Sequence, residues 1–258
     1  RVESSQARIL DAHSMGSRIG FMQSEGIGDI VIALPIAQHF IDQGHEIVWP
    51  VNDRFCEFLS RAMPRVQWLP VDGTLRDTQP VRFFYEDPKA LLAQAGCDRV
   101  HVLYSKLAVP GVEVVNRGLA QSLKFDEYKY AVTGVPFSRK WTLEIERDLA
   151  RETALFDSLG ITGPYICVHR QGHDHKFEFA LPEEWRRDYR IVEVGPITDS
   201  PFDWIYTLEG AARLLLLDSC FSNLVEQLNL PNEKYLVLRS YVEATPVMKN
   251  GWQFVAIG

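Results

Sequence analysis

The sequence has little cysteine and no excess of positive charge. Its 258 residues include four cysteines, Cys56, Cys97, Cys167 and Cys220, and no two of them have the Cys-x-x-Cys spacing of a zinc site. A disulfide framework is therefore not expected, and free buried thiols are. A formal net charge of −7 and a pI near 5.5 argue against a surface that binds nucleic acid.

Long apolar runs are also missing. None approaches the roughly 20 residues of a membrane-spanning helix, and the N-terminus lacks the basic, apolar and small-residue order of a signal peptide. These absences predict a cytoplasmic protein with no transmembrane segment. With 46% hydrophobic and 24% charged residues, the chain has enough apolar side chains for one large core or two smaller ones.

What the sequence does contain is a strand, a glycine turn and an apolar helix in succession. Residues 18–22 resemble a short buried strand, and residues 30–41 carry apolar side chains at helical spacing. Gly26 and Gly28 permit a sharp turn between them, and Asp29 follows at the start of the helix. Free helix amides favour an acid at this position, so Asp29 is either a helix cap or a group that takes part in chemistry.

A second strand over residues 46–51 completes a βαβ unit. Ligands of such folds gather at the carboxyl ends of the strands, which places Asp29 at the ligand-binding edge. The alternation of strands and helices continues and predicts a mostly parallel sheet. Its further strands are expected at 66–69, 80–85 and 99–104, and its further helices at 54–63 and 87–95.

The sequence also predicts a boundary between two domains. A helical stretch over residues 140–159 ends at Gly160, and a new strand begins shortly afterwards. Residues 1–150 are therefore expected to form one domain and residues 151–258 a second, smaller one. The strands of the second domain are expected at 165–169, 190–194, 214–217 and 235–238.

The segment 28–35 resembles a motif of the heptosyltransferase-like glycosyltransferases of family 9. That motif reads G-D-(I/V)-(I/V/L)-x-(A/T)-L-P, and all eight residues here match it. The resemblance implies an α/β protein of GT-B architecture, with two Rossmann-like domains that face each other across a cleft and a shortened second domain. It also implies that Asp29 is the general base and that Gly26 and Gly28 form a loop on the acceptor side.

Two segments of the second half resemble the same family. Lys176 lies in a polar loop before a helix, where the family has a lysine that contacts the donor diphosphate. The run 218–231 resembles the frame D-(T/S)-G-x-x-H-L-x-x-A-L-x-x-P, in which the acid holds the donor sugar and the helix amides receive the phosphates. Asp218 and Ser219 fit this frame, while Cys220 replaces its glycine and Asn223 its histidine.

The reaction that this resemblance implies is an inverting, metal-independent glycosyl transfer. A heptose-like sugar would move from a nucleotide diphosphate donor, such as ADP-heptose, to a glycan or lipid-linked saccharide. Asp29 would accept the proton of the acceptor hydroxyl, while Lys176, Arg170 and the amides of Ser219 and Cys220 stabilise the departing diphosphate. No cofactor is implied, and the acceptor would be met at the inner membrane face by peripheral association.

Three other functions agree with parts of the pattern. The replacements in the second motif are also expected of a degenerate, non-catalytic protein that binds nucleotide sugars. A nicotinamide oxidoreductase expects G-x-G-x-x-G, but Val31 stands where the third glycine belongs. His169, His173 and His175 have a spacing that can hold a transition metal, although no matching acid motif accompanies them.

Overall fold

The structure is a computed structural model that describes residues 16–109, 111–172, 176–239 and 244–256. These residues form two parallel β-sheets with helices packed around them. The first sheet belongs to the first half of the chain and the second sheet to the second half. Among the described residues, no helix is both long enough and apolar enough to cross a membrane.

The first sheet has four strands in the order β3-β2-β1-β4. The central strands are β1 (Arg18–Met22) and β2 (Glu46–Asn52), and the edges are β3 (Val66–Val71) and β4 (Arg99–Val102). Both central strands are almost entirely buried, because helices cover the two faces of the sheet, and this explains their nearly continuous apolar sequences. The helices of this half are α1 (Ile27–Asp42), α2 (Asp53–Ala62), α3 (Leu75–Thr78), α4 (Asp87–Gln94), α5 (Arg117–Ser122) and α6 (Phe125–Thr133).

The strand predicted over residues 80–85 is wrong. A π-helix, Arg82–Glu86, occupies this segment and continues directly into α4. The aromatic residues favour a strand by propensity, but they are adjacent rather than alternating. Phe83 is fully buried, while its neighbours Phe84 and Tyr85 are half-buried, so burial of one ring by a helical turn prevails over local preference.

The second sheet has five strands in the order β6-β5-β7-β8-β9. They are β5 (Tyr165–His169), β6 (Arg190–Glu193), β7 (Arg213–Leu217), β8 (Glu233–Leu238) and β9 (Trp252–Ala256). The sequence did not indicate β9, and with it the half predicted to be shortened has the larger sheet. The helices of this half are α7 (Leu149–Ser158), α8 (Glu183–Asp188), α9 (Ile205–Gly210) and α10 (Cys220–Gln227).

The long helix predicted over residues 140–159 is also wrong. A short 3₁₀-helix, Phe137–Trp141, is followed by an irregular segment, and α7 begins only at Leu149. The irregular segment bonds outward: the Glu146 amide donates to the Ala62 carbonyl at 2.9 Å, and the Glu144 amide donates to Gln38 Oε1 at 3.1 Å. These amides are therefore not available to a helix. The boundary between residues 150 and 151 stays a prediction, and it falls within α7.

The four cysteines are free thiols, as expected, but only Cys167 is buried, and the other three are partly exposed. The two halves are joined by the packing of α1 against α10. Leu224 of α10 lies in the apolar core of the first half, and the Gln227 side-chain amide donates to the Val31 carbonyl at 3.0 Å. Since α1 follows β1 and α10 follows β7, this packing brings the carboxyl ends of the two sheets together.

Candidate active site

Asp29 lies in the first turn of α1, at the carboxyl end of the first sheet. The helix is capped by Gly26, whose φ of 82° is the left-handed conformation that glycine adopts without steric cost. Asp29 itself forms an ion pair with Lys129, with 2.9 Å between Oδ1 and Nζ, and its side chain is 39% exposed. The carboxylate is therefore held by a side chain and remains partly accessible to solvent.

Lys129 is a site residue that the sequence analysis missed. It comes from α6, and its side chain is 1% exposed. Its ammonium group also donates to Gln23 Oε1 at 3.0 Å and to the Leu103 carbonyl at 2.9 Å. No motif marks this lysine, because the pairing joins positions that are far apart in the sequence.

Asp218 is the corresponding acid at the end of β7. It is 7% exposed, and Arg239 Nη2 donates to its Oδ2 at 3.3 Å. Burial raises the pKa of Asp218, and the nearby negative charge of Asp29 adds to this effect, while Arg239 opposes it. The two acids predicted from the sequence therefore lie close enough to interact, one from each half.

The start of α10 faces the start of α1. A methyl carbon placed on Gly28 would lie 3.4 Å from the backbone nitrogen of Cys220, so the bare glycine leaves room beside this helix end. Ser219 caps α10, and its Oγ accepts from the Phe221 amide at 3.3 Å. Cys220 is partly exposed as a residue, but the protein around its thiol desolvates the sulfur and raises its pKa to about 12, so the thiol remains protonated at neutral pH.

His169 belongs to the second-half side of the site. Its Nδ1 lies 3.2 Å from Ser219 Oγ, and its ring packs edge-on against Phe221. Burial, aided by the charge of Arg239, lowers the pKa of His169 to about 4, so the imidazole is neutral at pH 7. The two other histidines of the proposed metal group, His173 and His175, lie outside the described residues. Within the described part of the chain, no group of three His, Cys, Asp or Glu side chains is placed to hold a metal ion.

The two predicted cations of the donor site differ in their contacts. Arg170 is buried, pairs with Glu193, and lies 4.7 Å above the Phe179 ring. Lys176 is exposed, and its backbone pairs with that of Gln171 in an antiparallel bridge. The structure thus holds Arg170 in place by other groups and leaves the Lys176 side chain at the surface of the loop. Their roles toward a diphosphate stay predictions.

Two cavities flank the starts of α1 and α10. One of about 240 Å³ lies between the halves. Its walls are Ile27, Phe55 and Phe58 from the first half and, from the second half, His169, Gln171, Gly195, Pro196, Thr198, Asp199, Ser200, Pro201, Trp204, Cys220 and Phe221. The loop after β6 supplies much of this wall.

The other cavity, of about 380 Å³, lies at the carboxyl edge of the first sheet, on the Gly26 side of α1. Its lining includes Gln23, Glu25 and Gly26, which shortly precede Asp29 in the sequence. Phe84 and Tyr104 line it as well. Tyr104 also binds the turn itself, because its hydroxyl accepts from the Ser24 amide at 2.8 Å. The two cavities therefore have different walls and meet the start of α1 at neighbouring residues, Gly26 and Ile27.

No family model matches the sequence, and a search of curated proteins gives no match. Solved structures do match. The ADP-heptose lipopolysaccharide heptosyltransferase II of E. coli superposes with a TM-score of 0.61 at 12% identity, over 93% of this chain and 90% of that one. A family 9 glycosyltransferase from Veillonella parvula gives 0.57 at 12% identity, over 93% and 86%. The E. coli heptosyltransferase WaaC with ADP gives 0.52 at 16% identity, over 93% of both chains.

The chain has the fold of these glycosyltransferases. This confirms the α/β, GT-B-like architecture predicted from the sequence, in which two parallel sheets meet at their carboxyl ends. At these identities the similarity concerns the fold, and the chemistry has to be argued from the residues in the cleft.

Proposed function

We propose that the protein is an inverting glycosyltransferase that moves a sugar from a nucleoside diphosphate donor to a saccharide hydroxyl. The observation that carries the proposal is the meeting of two helix starts across the cleft. Asp29, an accessible carboxylate, lies on α1, and the first turn of α10 lies so near Gly28 that a methyl carbon added there would be 3.4 Å from the Cys220 backbone nitrogen. A proton acceptor and a site for a leaving anion are therefore adjacent.

The donor fits the cavity between the halves. Its apolar wall, with Phe55, Phe58 and Phe221, suits a nucleoside, and its polar end is the start of α10. There a diphosphate oxygen would take the place of Ser219 Oγ as acceptor for the first-turn amides, and Lys176 would add a positive charge from the neighbouring loop. The presence of ADP in the similarly folded WaaC supports a nucleoside diphosphate as the ligand.

The acceptor fits the other cavity, which Gly26 lines. Aromatic rings such as those of Phe84 and Tyr104 suit the apolar face of a sugar. A glycan or lipid-linked saccharide bound there would present its hydroxyl to Asp29 across Gly26. This geometry supports an acceptor of the saccharide class, and a heptose-like sugar as the transferred group is the proposal that accompanies it.

In the proposed reaction, the acceptor oxygen forms a bond to the anomeric carbon of the donor. The bond between that carbon and the diphosphate oxygen breaks, and its electron pair leaves with the nucleoside diphosphate. The hydroxyl proton passes to Asp29. The α10 amides and Lys176 stabilise the leaving charge, so the proposed transfer uses no metal. Attack from the side opposite the leaving group inverts the anomeric configuration.

One observation favours a second function, the binding of a nucleotide sugar without transfer. Ser219 already caps α10, and Arg170 is already paired with Glu193. Some polar groups of the proposed donor site therefore already have partners within the protein. Such a protein would bind the donor and lack turnover.

An acceptor-dependent assay separates the two functions. The protein is first titrated by calorimetry with ADP, UDP, GDP and CDP, and the corresponding sugar nucleotides are then incubated with saccharide acceptors while nucleoside diphosphate release is measured. Binding together with acceptor-dependent release supports the transferase. Binding without release over all acceptors supports the second function, and the absence of nucleotide binding contradicts both.

A further inference from the structure

The ion pair behind Asp29 is asymmetric in its exposure to solvent. Lys129 is 1% exposed, whereas the Asp29 side chain that it contacts is 39% exposed. A buried ammonium is costly unless acceptors surround it. A desolvated cation therefore lies directly behind the partly exposed carboxylate at the start of α1.

The ammonium of Lys129 has an acceptor for each of its three N–H groups. These are Asp29 Oδ1 at 2.9 Å, Gln23 Oε1 at 3.0 Å and the Leu103 carbonyl at 2.9 Å. Gln23 is fixed in turn. Its side-chain amide donates to the Glu25 backbone carbonyl at 2.7 Å, and its backbone carbonyl accepts from Trp49 Nε1 at 3.1 Å. The cation thus has a single rigid position.

The two oxygens of Asp29 are placed differently. Oδ1 accepts from Lys129, while Oδ2 lies above Gly26, where an added methyl carbon would come within 3.0 Å of it. Gly26 also lines the cavity assigned to the acceptor. The pairing therefore holds one oxygen and leaves the other beside Gly26, a residue of the cavity assigned to the acceptor.

We propose that Lys129 is a positioning residue for Asp29: it fixes Oδ1 so that Oδ2 accepts the proton of the acceptor hydroxyl. The inference rests on the proposed function and deepens it. The titratable groups around Asp29 are Lys129 from α6, Tyr104 after β4 and Asp218 after β7. Burial raises the pKa of Tyr104 to about 12 and that of Asp218 as well, and in both cases the charge of Asp29 contributes.

A second buried lysine shows what a purely structural pair looks like. Lys140 and Asp126 are both 0% exposed, with 2.7 Å between Nζ and Oδ2, and Lys140 also donates to the Val247 carbonyl. Neither member of that pair reaches the surface. Lys140 is therefore a matched control for Lys129, with the same residue type, the same kind of partner and no access to the cleft.

The first test is a double-mutant cycle measured by urea unfolding. Asp29→Asn is introduced into the wild type and into Lys129→Met. In the wild type it leaves a buried ammonium without its carboxylate, and we expect a lower unfolding midpoint. In the Lys129→Met background the same change should be nearly neutral. Additive effects would overturn the inference, whether or not the protein transfers sugar.

The second test is kinetic and uses an acceptor assay in which the wild type is active. Lys129→Met should lower kcat at least tenfold and leave nucleoside diphosphate affinity within twofold, because the base loses the group that positions it while the donor site is unchanged. Lys129→Arg should restore part of kcat. Lys140→Met should lower the unfolding midpoint and leave kcat within twofold of the wild type.

The outcomes separate the inference from the proposed function. Non-additive unfolding in a protein that binds nucleotide and never transfers sugar contradicts the transferase and keeps the pairing. Transfer that requires Asp29 while Lys129→Met retains the wild-type kcat contradicts the positioning role. If Lys129→Met does not fold, Gln23→Ala removes one anchor of the ammonium and keeps both charges. It should lower kcat several-fold with unchanged nucleotide affinity, and an unchanged kcat would overturn the inference.

Discussion

The two acids of the cleft occupy similar places in their sheets and have opposite surroundings. Asp29 is an accessible carboxylate on a buried lysine, whereas Asp218 is a buried carboxylate beneath an exposed arginine, Arg239. Burial raises the pKa of Asp218, so its ionised form is disfavoured. The carboxyl edge of the first sheet therefore presents a carboxylate oxygen that can accept a proton from a substrate. The carboxyl edge of the second sheet instead holds its carboxylate in a hydrogen bond away from water.

The largest expected effect distinguishes these two acids directly. Asp29→Asn keeps the shape of the side chain and removes the base, so we expect a loss of about 10²- to 10⁴-fold in turnover with nucleotide affinity unchanged. Asp218→Asn removes one charged hydrogen-bond acceptor and should reduce kcat/KM by about tenfold or less. Steady-state kinetics on both variants, with calorimetric titration of the nucleoside diphosphate, checks the pair.

Equal losses of kcat/KM in the two variants would show that the two acids do not differ in role. Full activity of Asp29→Asn would remove Asp29 from the chemistry and leave the ion pair with Lys129 as a structural feature only.

The next prediction concerns His169, on the second-half side of the cleft. This imidazole has a pKa of about 4 in the folded protein, lowered by burial and by Arg239, against 6.5 for an ordinary histidine. Between these two pH values the imidazole is protonated in the unfolded chain and neutral in the folded protein. The free energy of unfolding therefore decreases as the pH falls from about 6.5 to about 4. The full loss from this group is about 3 kcal/mol.

Urea unfolding of the wild type and of His169→Gln at pH 7 and pH 4 measures this loss. Asp218 acts with the opposite sign, because a raised pKa makes the folded protein bind its proton first as the pH falls. The difference between the two proteins, rather than the wild type alone, therefore isolates His169. A wild type and a variant that lose the same stability would show that the imidazole is not buried in neutral form.

Most of the fold was predictable because both sheets follow simple local rules. β1 and β5 were predicted at their observed bounds, since short apolar runs end at glycine or polar turns. The errors arose where long-range contacts decide the backbone. The amides of Glu144 and Glu146 bond to the first half and not within a helix, and Phe83 is buried by a helical turn despite strand-forming neighbours.

The site was predictable only where residues form motifs. Asp29, Asp218 and Ser219 follow strands in recognisable segments, and the fold brings them together. Lys129 and Arg239 reach the same cleft from α6 and from the loop after β8. No local sequence pattern predicts a side chain whose partner is so far away in the sequence. Burial made the difference, because a lysine in a helix looks solvated until its surroundings are known.

The donor loop offers a smaller effect that compares two exposed lysines. Lys176 lies in the loop assigned to the diphosphate, and Lys106 lines the cavity assigned to the acceptor. Lys176→Ala should weaken nucleoside diphosphate binding about tenfold, the value of a charge-assisted contact, whereas Lys106→Ala should leave it unchanged. Calorimetric titration at low and high salt measures both. Equal affinities for the wild type and Lys176→Ala would remove the donor from this loop.

The smallest effect separates the two glycines of the α1 turn. Gly26 has φ of 82° and lies beneath Asp29 Oδ2, so Gly26→Ala should cost about 1 kcal/mol of stability and displace the carboxylate. Gly28 lies within α1, where its added methyl would meet Cys220 at 3.4 Å. Gly28→Ala should therefore be tolerated in stability, because alanine favours a helix, and should weaken nucleoside diphosphate binding by narrowing the approach to α10. Thermal unfolding and calorimetric titration of both variants decide the point: reversed results would place the ligand on the Gly26 side and exchange the roles of the two cavities.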